Sequence, residues 1–160
     1  MRYVGCALIM LAAALVSSWY RASMASRLAA LAALLSLSRH IFSRVSEYME
    51  PPSVWSVGFL TGCPEVDALV EMIASGMTPA EAYGRGRLRA LLSPSAREAA
   101  DGLFNSPPRG EIGAERRVLG EITERIAAIY ESERTEAGER CRVFAVMALM
   151  LSSGAVILIV

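Results

Sequence analysis

The side chains best suited to chemistry in this chain are arginines and glutamates, and their spacing points to recognition rather than catalysis. Gly84-Arg85-Gly86-Arg87-Leu88-Arg89 is the densest basic stretch. Its guanidinium groups are planar forks that match the paired oxygens of carboxylates and phosphates. It reads either as a solvated helix weakened by its glycines, or as a contact surface for an acidic protein, acidic lipid headgroups or RNA. A helix start lies just upstream, so Glu81, Tyr83, Arg85, Arg87 and Arg89 are the candidate partner-docking residues.

Catalytic sets fail on composition. The one histidine, His40, has no cysteine or second histidine near it, which favours an ordinary helix-surface position over a metal ligand. A single histidine in a helix leaves no serine–histidine–aspartate set either. Cys6, Cys63 and Cys141 lack CxxC spacing, so neither a disulfide nor a zinc framework is expected. All 16 basic residues are arginine, and a P-loop or Schiff-base lysine is impossible. Glutamates alternate with arginines as on solvated helix faces, without an isolated acid/base pair. The 16 acidic residues balance the 16 basic ones, so no global field draws nucleic acid. A non-enzymatic chain is expected, without cofactor, metal, small-molecule substrate or nucleic-acid partner.

Residues 3–20 and 143–160 carry no charge and are each 18 residues long. As helices they extend ~27 Å, close to the ~30 Å hydrocarbon core of a bilayer. The expected fold is all-α: a membrane hairpin with a first transmembrane helix at 3–20, a cytoplasmic α-helical domain at 21–142 and a second transmembrane helix at 143–160. Met1-Arg2, the apolar run and Ser23-Met24-Ala25 also fit a secretory signal with a small-residue cleavage site. Arg21, falling between core and site, argues for retention of residues 1–25. Arg21, Arg27 and Arg39 flank the first span on the loop side, and Arg125, Arg134, Arg140 and Arg142 flank the second, against Arg2 alone on the other side. Positive residues stay inside, which puts the middle in the cytoplasm. Small residues four apart, Ala13 with Ser17, Ala14 with Ser18 and Ala148 with Ser152, suit close packing of the spans on each other or on other subunits.

No glycine or proline interrupts the chain from Cys6 to Glu50. Leu28, Leu31, Leu35, Ser38, Phe42, Val45 and Met49 form one stripe at helical spacing. One helix of about 45 residues is predicted, stopped by Pro51-Pro52. An irregular segment with Trp55, Phe59 and Leu60 follows. Pro64 then opens a helix whose apolar face is Val66, Leu69, Val70 and Ile73, ended by Gly76. Thr78-Pro79-Ala80-Glu81 is a capping-box start for a helix running toward Leu92, weakened by about 1 kcal/mol at each of Gly84 and Gly86. Ser93-Pro94 restarts a helix to about Phe104, with Ala96, Ala99, Ala100 and Leu103 on one side. Residues 105–108 form a linker. A last long helix carries Val118, Leu119, Ile122, Ile126 and Ile129, with exposed pairs Glu121–Arg125 and Glu136–Arg140. Residues 131–139 hold no large apolar side chain and read as a solvated neck above the membrane or as a partner surface. The two long helices should pack antiparallel by their stripes, with the short helices capping the far end.

This layout resembles the stage III sporulation protein AB family of endospore-forming bacteria along almost the whole chain. Arg2-Tyr3-Val4-Gly5-Cys6-Ala7-Leu8-Ile9 is similar to the family's basic-apolar-Gly-apolar opening, and Arg27-Leu28 to its arginine-leucine segment. Glu47-x-x-x-Pro51 resembles its Glu-Ile-x-Tyr and Thr-Pro stretch, with Tyr48 displaced. Gly76-Met77-Thr78-Pro79-Ala80-Glu81-Ala82-Tyr83 is the best local match, to a Gly-x-(Ser/Thr)-x-x-Glu-Ala-Trp segment. Arg142-Val143-Phe144 through Gly154 to Val160 is similar to its last span. Asp101-Gly102-Leu103-Phe104 and Pro107-Pro108 stand where the family carries a Leu-Gly-x-x-Leu-Gly-x-x-Asp run. The family looks related to the cytoplasmic helical (F-type) domains of the type II secretion and type IV pilus platform protein. The resemblance implies a platform subunit of the mother cell–forespore channel, in the mother-cell membrane facing the forespore. Its implied partners are membrane lipid, other channel subunits and a cytoplasmic secretion-type ATPase. A platform or scaffold subunit of a type II secretion or pilus-like machine is the alternative.

Overall fold

The computed structural model describes residues 2–46, 59–105 and 112–157, with side chains described for 11–45, 59–105, 113–147 and 149–150. Among the described residues the chain is all-helical, without strands: α1 (Arg2–Ser46), α2 (Pro64–Ala74), α3 (Pro79–Arg85), α4 (Leu88–Leu91), α5 (Pro94–Asn105) and α6 (Ile112–Ile157). The Pro51-Pro52 stop, Met49, Trp55 and the linker at 106–108 lie outside the described residues. So do the side chains of Cys6, Ala148, Ser152 and residues 153–160.

The chain forms two compact units, one of Arg27–Ser132 and one of Met1–Ser26 with Glu133–Val160. In the inner unit the expected stripe on α1 is too narrow. Ala30, Ala33, Leu34, Leu37 and Ile41 are buried along with Leu31, Leu35, Ser38 and Val45. From Leu28 onward only Ala29, Ser36, Arg39 and Ser43 stay exposed, in steps of seven, three and four that mark one thin strip. A helix apolar on almost every side must be covered on almost every side. This half of α1 is therefore a core helix. Its one fully buried polar side chain, Ser38, donates from Oγ to the Leu35 carbonyl at 2.9 Å, which satisfies it within the helix.

The short helices owe their ends to local chemistry. At the start of α2 the Asp67 carboxylate accepts from the Thr61 amide (2.7 Å), the Thr61 hydroxyl (2.8 Å) and the Gly62 amide (3.1 Å). Pro64 takes the first helical position, where its missing N–H costs nothing. Gly76, at φ 101°, turns the chain out of α2 through a region that side chains with a Cβ avoid. Thr78 and Glu81 then form the expected capping box. The helix predicted toward Leu92 breaks at Gly86-Arg87, where Gly86 takes an extended conformation, and α4 adds one turn. A Cβ on Gly86 would stand 3.2 Å from the Ala82 carbonyl oxygen, so the bend is built for a residue without one. α5 begins with the Ala96 amide donating to Ser93 Oγ (3.3 Å).

α6 contributes buried Ile126 and half-buried Leu119, Ile122 and Ile129 to the same core. Phe42 of α1 lies against Gly120, 3.4 Å from where a Cβ would stand, and the Arg116 guanidinium sits over the Phe42 ring at 5.9 Å. Arg125 turns to Glu98 of α5 (2.9 Å) rather than to Glu121 on its own helix.

In the terminal unit Tyr20 meets Phe144 with ring centroids 4.9 Å apart. Arg140 bonds both to Tyr20 and to Glu136, the expected pair four apart. Residues Leu11–Val45 of α1 are long and apolar enough to cross a membrane. That run divides sharply, since its exposed large side chains (Leu11, Leu15, Val16, Trp19) all precede residue 20 and its buried ones all follow Ala29.

Candidate functional site

The five docking candidates lie on α3, the Gly86 bend and α4, and the structure separates them into three kinds. Tyr83 points into the core. It is 2 % exposed, stacked on Phe104 at 4.7 Å between centroids. Tyr83 is thus a packing residue, on the face of α3 that also buries Ala82. Burial pushes its phenol up to about 12, with the Asp101 charge adding to the rise and Arg89 and Arg97 opposing it.

Glu81 is exposed, but its carboxylate is engaged. Oε2 accepts from the Thr78 amide (3.2 Å) and hydroxyl (3.0 Å), while Thr78 Oγ1 accepts from the Glu81 amide (3.3 Å). These bonds hold its pKa below the usual carboxylate range, with Arg85 adding a smaller pull. The residue is a helix cap first.

Arg85, Arg87 and Arg89 remain on the surface. Arg85 closes α3, Arg87 sits in the bend as the residue before α4, and Arg89 lies within α4. Arg89 reaches Asp101 of α5 at 3.7 Å, with both groups partly solvated, so the link adds little stability. It does tie α4 to α5 and leaves Arg85 and Arg87 as the outward cations of the segment. Behind them Arg97 Nε donates to the Leu92 carbonyl at 2.9 Å, which fixes the turn into α5. The bend rather than a continuous helix thus presents the arginines, with Tyr83 and Leu88 as the buried anchors on either side of it.

Other reactive groups are occupied or shielded. Cys63 is buried, its thiol pushed up by that burial, and its Sγ donates to Glu65 Oε2 at 3.3 Å. A protonated thiol is a poor nucleophile. His40 stacks on Phe59 at 4.4 Å between centroids, a packing contact. Among the described residues no group of three histidine, cysteine or acidic side chains is placed to hold a metal ion.

The boundary residues of the terminal unit were not singled out as a site from sequence. Trp19, Tyr20 and Arg21 on α1 stand level with Arg140, Arg142 and Phe144 on α6, because Tyr20 contacts both Arg140 and Phe144. The signal available was an aromatic pair directly followed by arginine at the edge of one apolar run, with two arginines at the edge of the other. No protein-family model, curated protein or solved structure matches this chain.

Proposed function

We propose that the chain is a non-enzymatic membrane platform subunit, in which terminal helices at 3–20 and 143–160 anchor a cytoplasmic helical domain that docks a secretion-type ATPase. One observation carries this reading. Among the described residues, every exposed large apolar side chain except Leu60 lies in the terminal unit. These side chains occupy both helices, up to Trp19 on α1 and from Val143 onward on α6. In water such a surface costs about 25 cal/mol for each Å² of apolar area left uncovered, whereas in lipid it is at home. Among the described residues of the inner unit, by contrast, the large apolar side chains apart from Leu60 are buried or partly buried.

The resemblance to stage III sporulation protein AB supplies the setting, the mother-cell membrane and the channel assembled there. Arg85 and Arg87 supply the contact chemistry, two outward guanidinium groups on a bent segment that suit an acidic surface of the ATPase. The test has two arms. The full chain should stay with membranes through alkaline carbonate extraction, and its release into the supernatant would remove the anchor. The detergent-solubilised chain should retain the channel's ATPase in a pull-down and lose most of it on R85E/R87E. Equal retention by that variant would move the docking surface elsewhere.

A further inference from the structure

We propose that Asp101 is a built-in competitor for the basic bend, holding Arg89 in the free chain and yielding it to the carboxylates of an acidic partner. This rests on the docking reading above and adds to that surface a third arginine and the acid that guards it.

Three observations point to it. First, Arg85, Arg87 and Arg89 stand at alternate positions across the bend. Among the described residues Arg89 is the one of the three in an ion pair, with Asp101 of α5. Second, the pair is loose. Its approach of 3.7 Å is beyond hydrogen-bond length, and the side chains are 58 % and 37 % exposed. A solvated pair of this kind shifts an equilibrium by about fivefold at most, so a partner carboxylate can displace it. Third, the other acids of α2–α5 are committed elsewhere or turned to solvent. Glu81 caps Thr78, and the pull of Arg85 is the weakest influence on its carboxylate. Glu98 pairs with Arg125 of α6. Glu65 accepts from Cys63, and Asp67 from Thr61 and Gly62. Glu71 is exposed on α2. Arg97, the fourth arginine of these helices, is half-buried with its Nε on the Leu92 carbonyl. Asp101 is therefore the acid that occupies an arginine of the bend.

Docking exchanges an internal carboxylate for an external one. Asp101 is released to water from a place already partly solvated, so no charge is stranded in the core. The guanidinium of Arg89 can then take a carboxylate in a bidentate fork, which Asp101 at 3.7 Å does not supply. The exchange favours surfaces dense in acid. A lone carboxylate gains little over Asp101, whereas neighbouring carboxylates on one chain engage Arg85 and Arg87 at the same time.

The test measures binding of a fluorescein-labelled oligoglutamate peptide to the detergent-solubilised full chain, by fluorescence anisotropy at low salt. D101N should bind it about two- to fivefold more tightly than wild type, and R89Q about two- to fivefold more weakly. Both variants cut the same link between α4 and α5, so loosening of α4 by itself would move them in one direction. D101N/R89Q should bind no more tightly than R89Q, because the competitor acts through Arg89. E98Q removes an acid of α5 that pairs with Arg125 instead, and should tighten binding less than D101N. An affinity of D101N no higher than that of wild type or E98Q, or a tightening that persists in the R89Q background, overturns the proposal. A peptide that fails to bind wild type, or binds R85E/R87E equally well, overturns the acidic docking reading and this proposal with it. Loss of binding in R85E/R87E without tightening in D101N fails the competitor alone.

Discussion

Tyr83 shows how a polar atom in a core sets a pH dependence. Its hydroxyl is buried with no hydrogen-bond partner, and its ring carries the stack on Phe104. Leaving a buried donor unmatched costs about 1–3 kcal/mol. Tyr83→Phe should therefore hold or raise stability at neutral pH, by about 1 kcal/mol, whereas Tyr83→Ala should lose about 3–5 kcal/mol with the ring. Folding raises the phenol from its usual value near 10 to about 12. Across that window the unfolded chain releases the proton and the folded chain keeps it. The unfolded state then binds fewer protons, and stability falls as pH rises. Below pH 10 the contribution is complete. Urea midpoints at pH 8 and pH 11 should fall further in the wild type than in Tyr83→Phe. Equal falls would show that Tyr83 ionises in the folded state as readily as in water.

At the scale of elements, the glycines around α3 divide by backbone angle and by what a Cβ would meet. Gly84 lies inside α3 with open space where a Cβ would stand. Gly84→Ala should stabilise the inner unit by about 1 kcal/mol. Gly76 also has open space but sits at φ 101°, so Gly76→Ala should cost about 1–2 kcal/mol through the backbone alone. Opposite shifts of the urea midpoint check the pair. Shifts of the same sign would mean that the turn after α2 rearranges. These same helices show what a sequence can reveal. The capping box at Thr78 and Glu81, proline at the start of α2 and glycine at its end were legible because each signal and its consequence lie within a few residues. The break at Gly86 was only half legible. Two glycines spaced by one arginine signalled weakness, but the carbonyl that crowds a Cβ comes from the folded helix. The burial of α1 on almost all sides, the inward turn of Tyr83 and the choice of Glu98 by Arg125 were not legible. Each depends on which helices surround it, and periodicity names a face without naming the neighbours.

For the whole molecule the deciding variable is the solvent around the terminal unit. Leu15 and Val146 are 61 % and 49 % exposed on its two helices. Water and lipid predict opposite consequences for charging them. In water, Leu15→Arg and Val146→Arg remove exposed apolar area and add solvation, so a water-borne protein should become more soluble with its stability within about 0.5 kcal/mol of the original. In a bilayer an arginine at a helix centre costs about 2.5–3.5 kcal/mol, and less toward the edge of a span, where Val146 lies. The two together should then shift insertion by at least about tenfold. The double variant is expected to leave the carbonate-resistant membrane fraction, while Ser36→Arg, on the exposed strip of α1 within the inner unit, should remain there. Ser36 tests the alternative that any added arginine disturbs folding, because it places the same charge on the same helix outside the apolar belt. Retention of Leu15→Arg/Val146→Arg in the membrane fraction at the wild-type level would mean that neither side chain faces lipid. The exposed apolar belt would then require a protein cover on both helices.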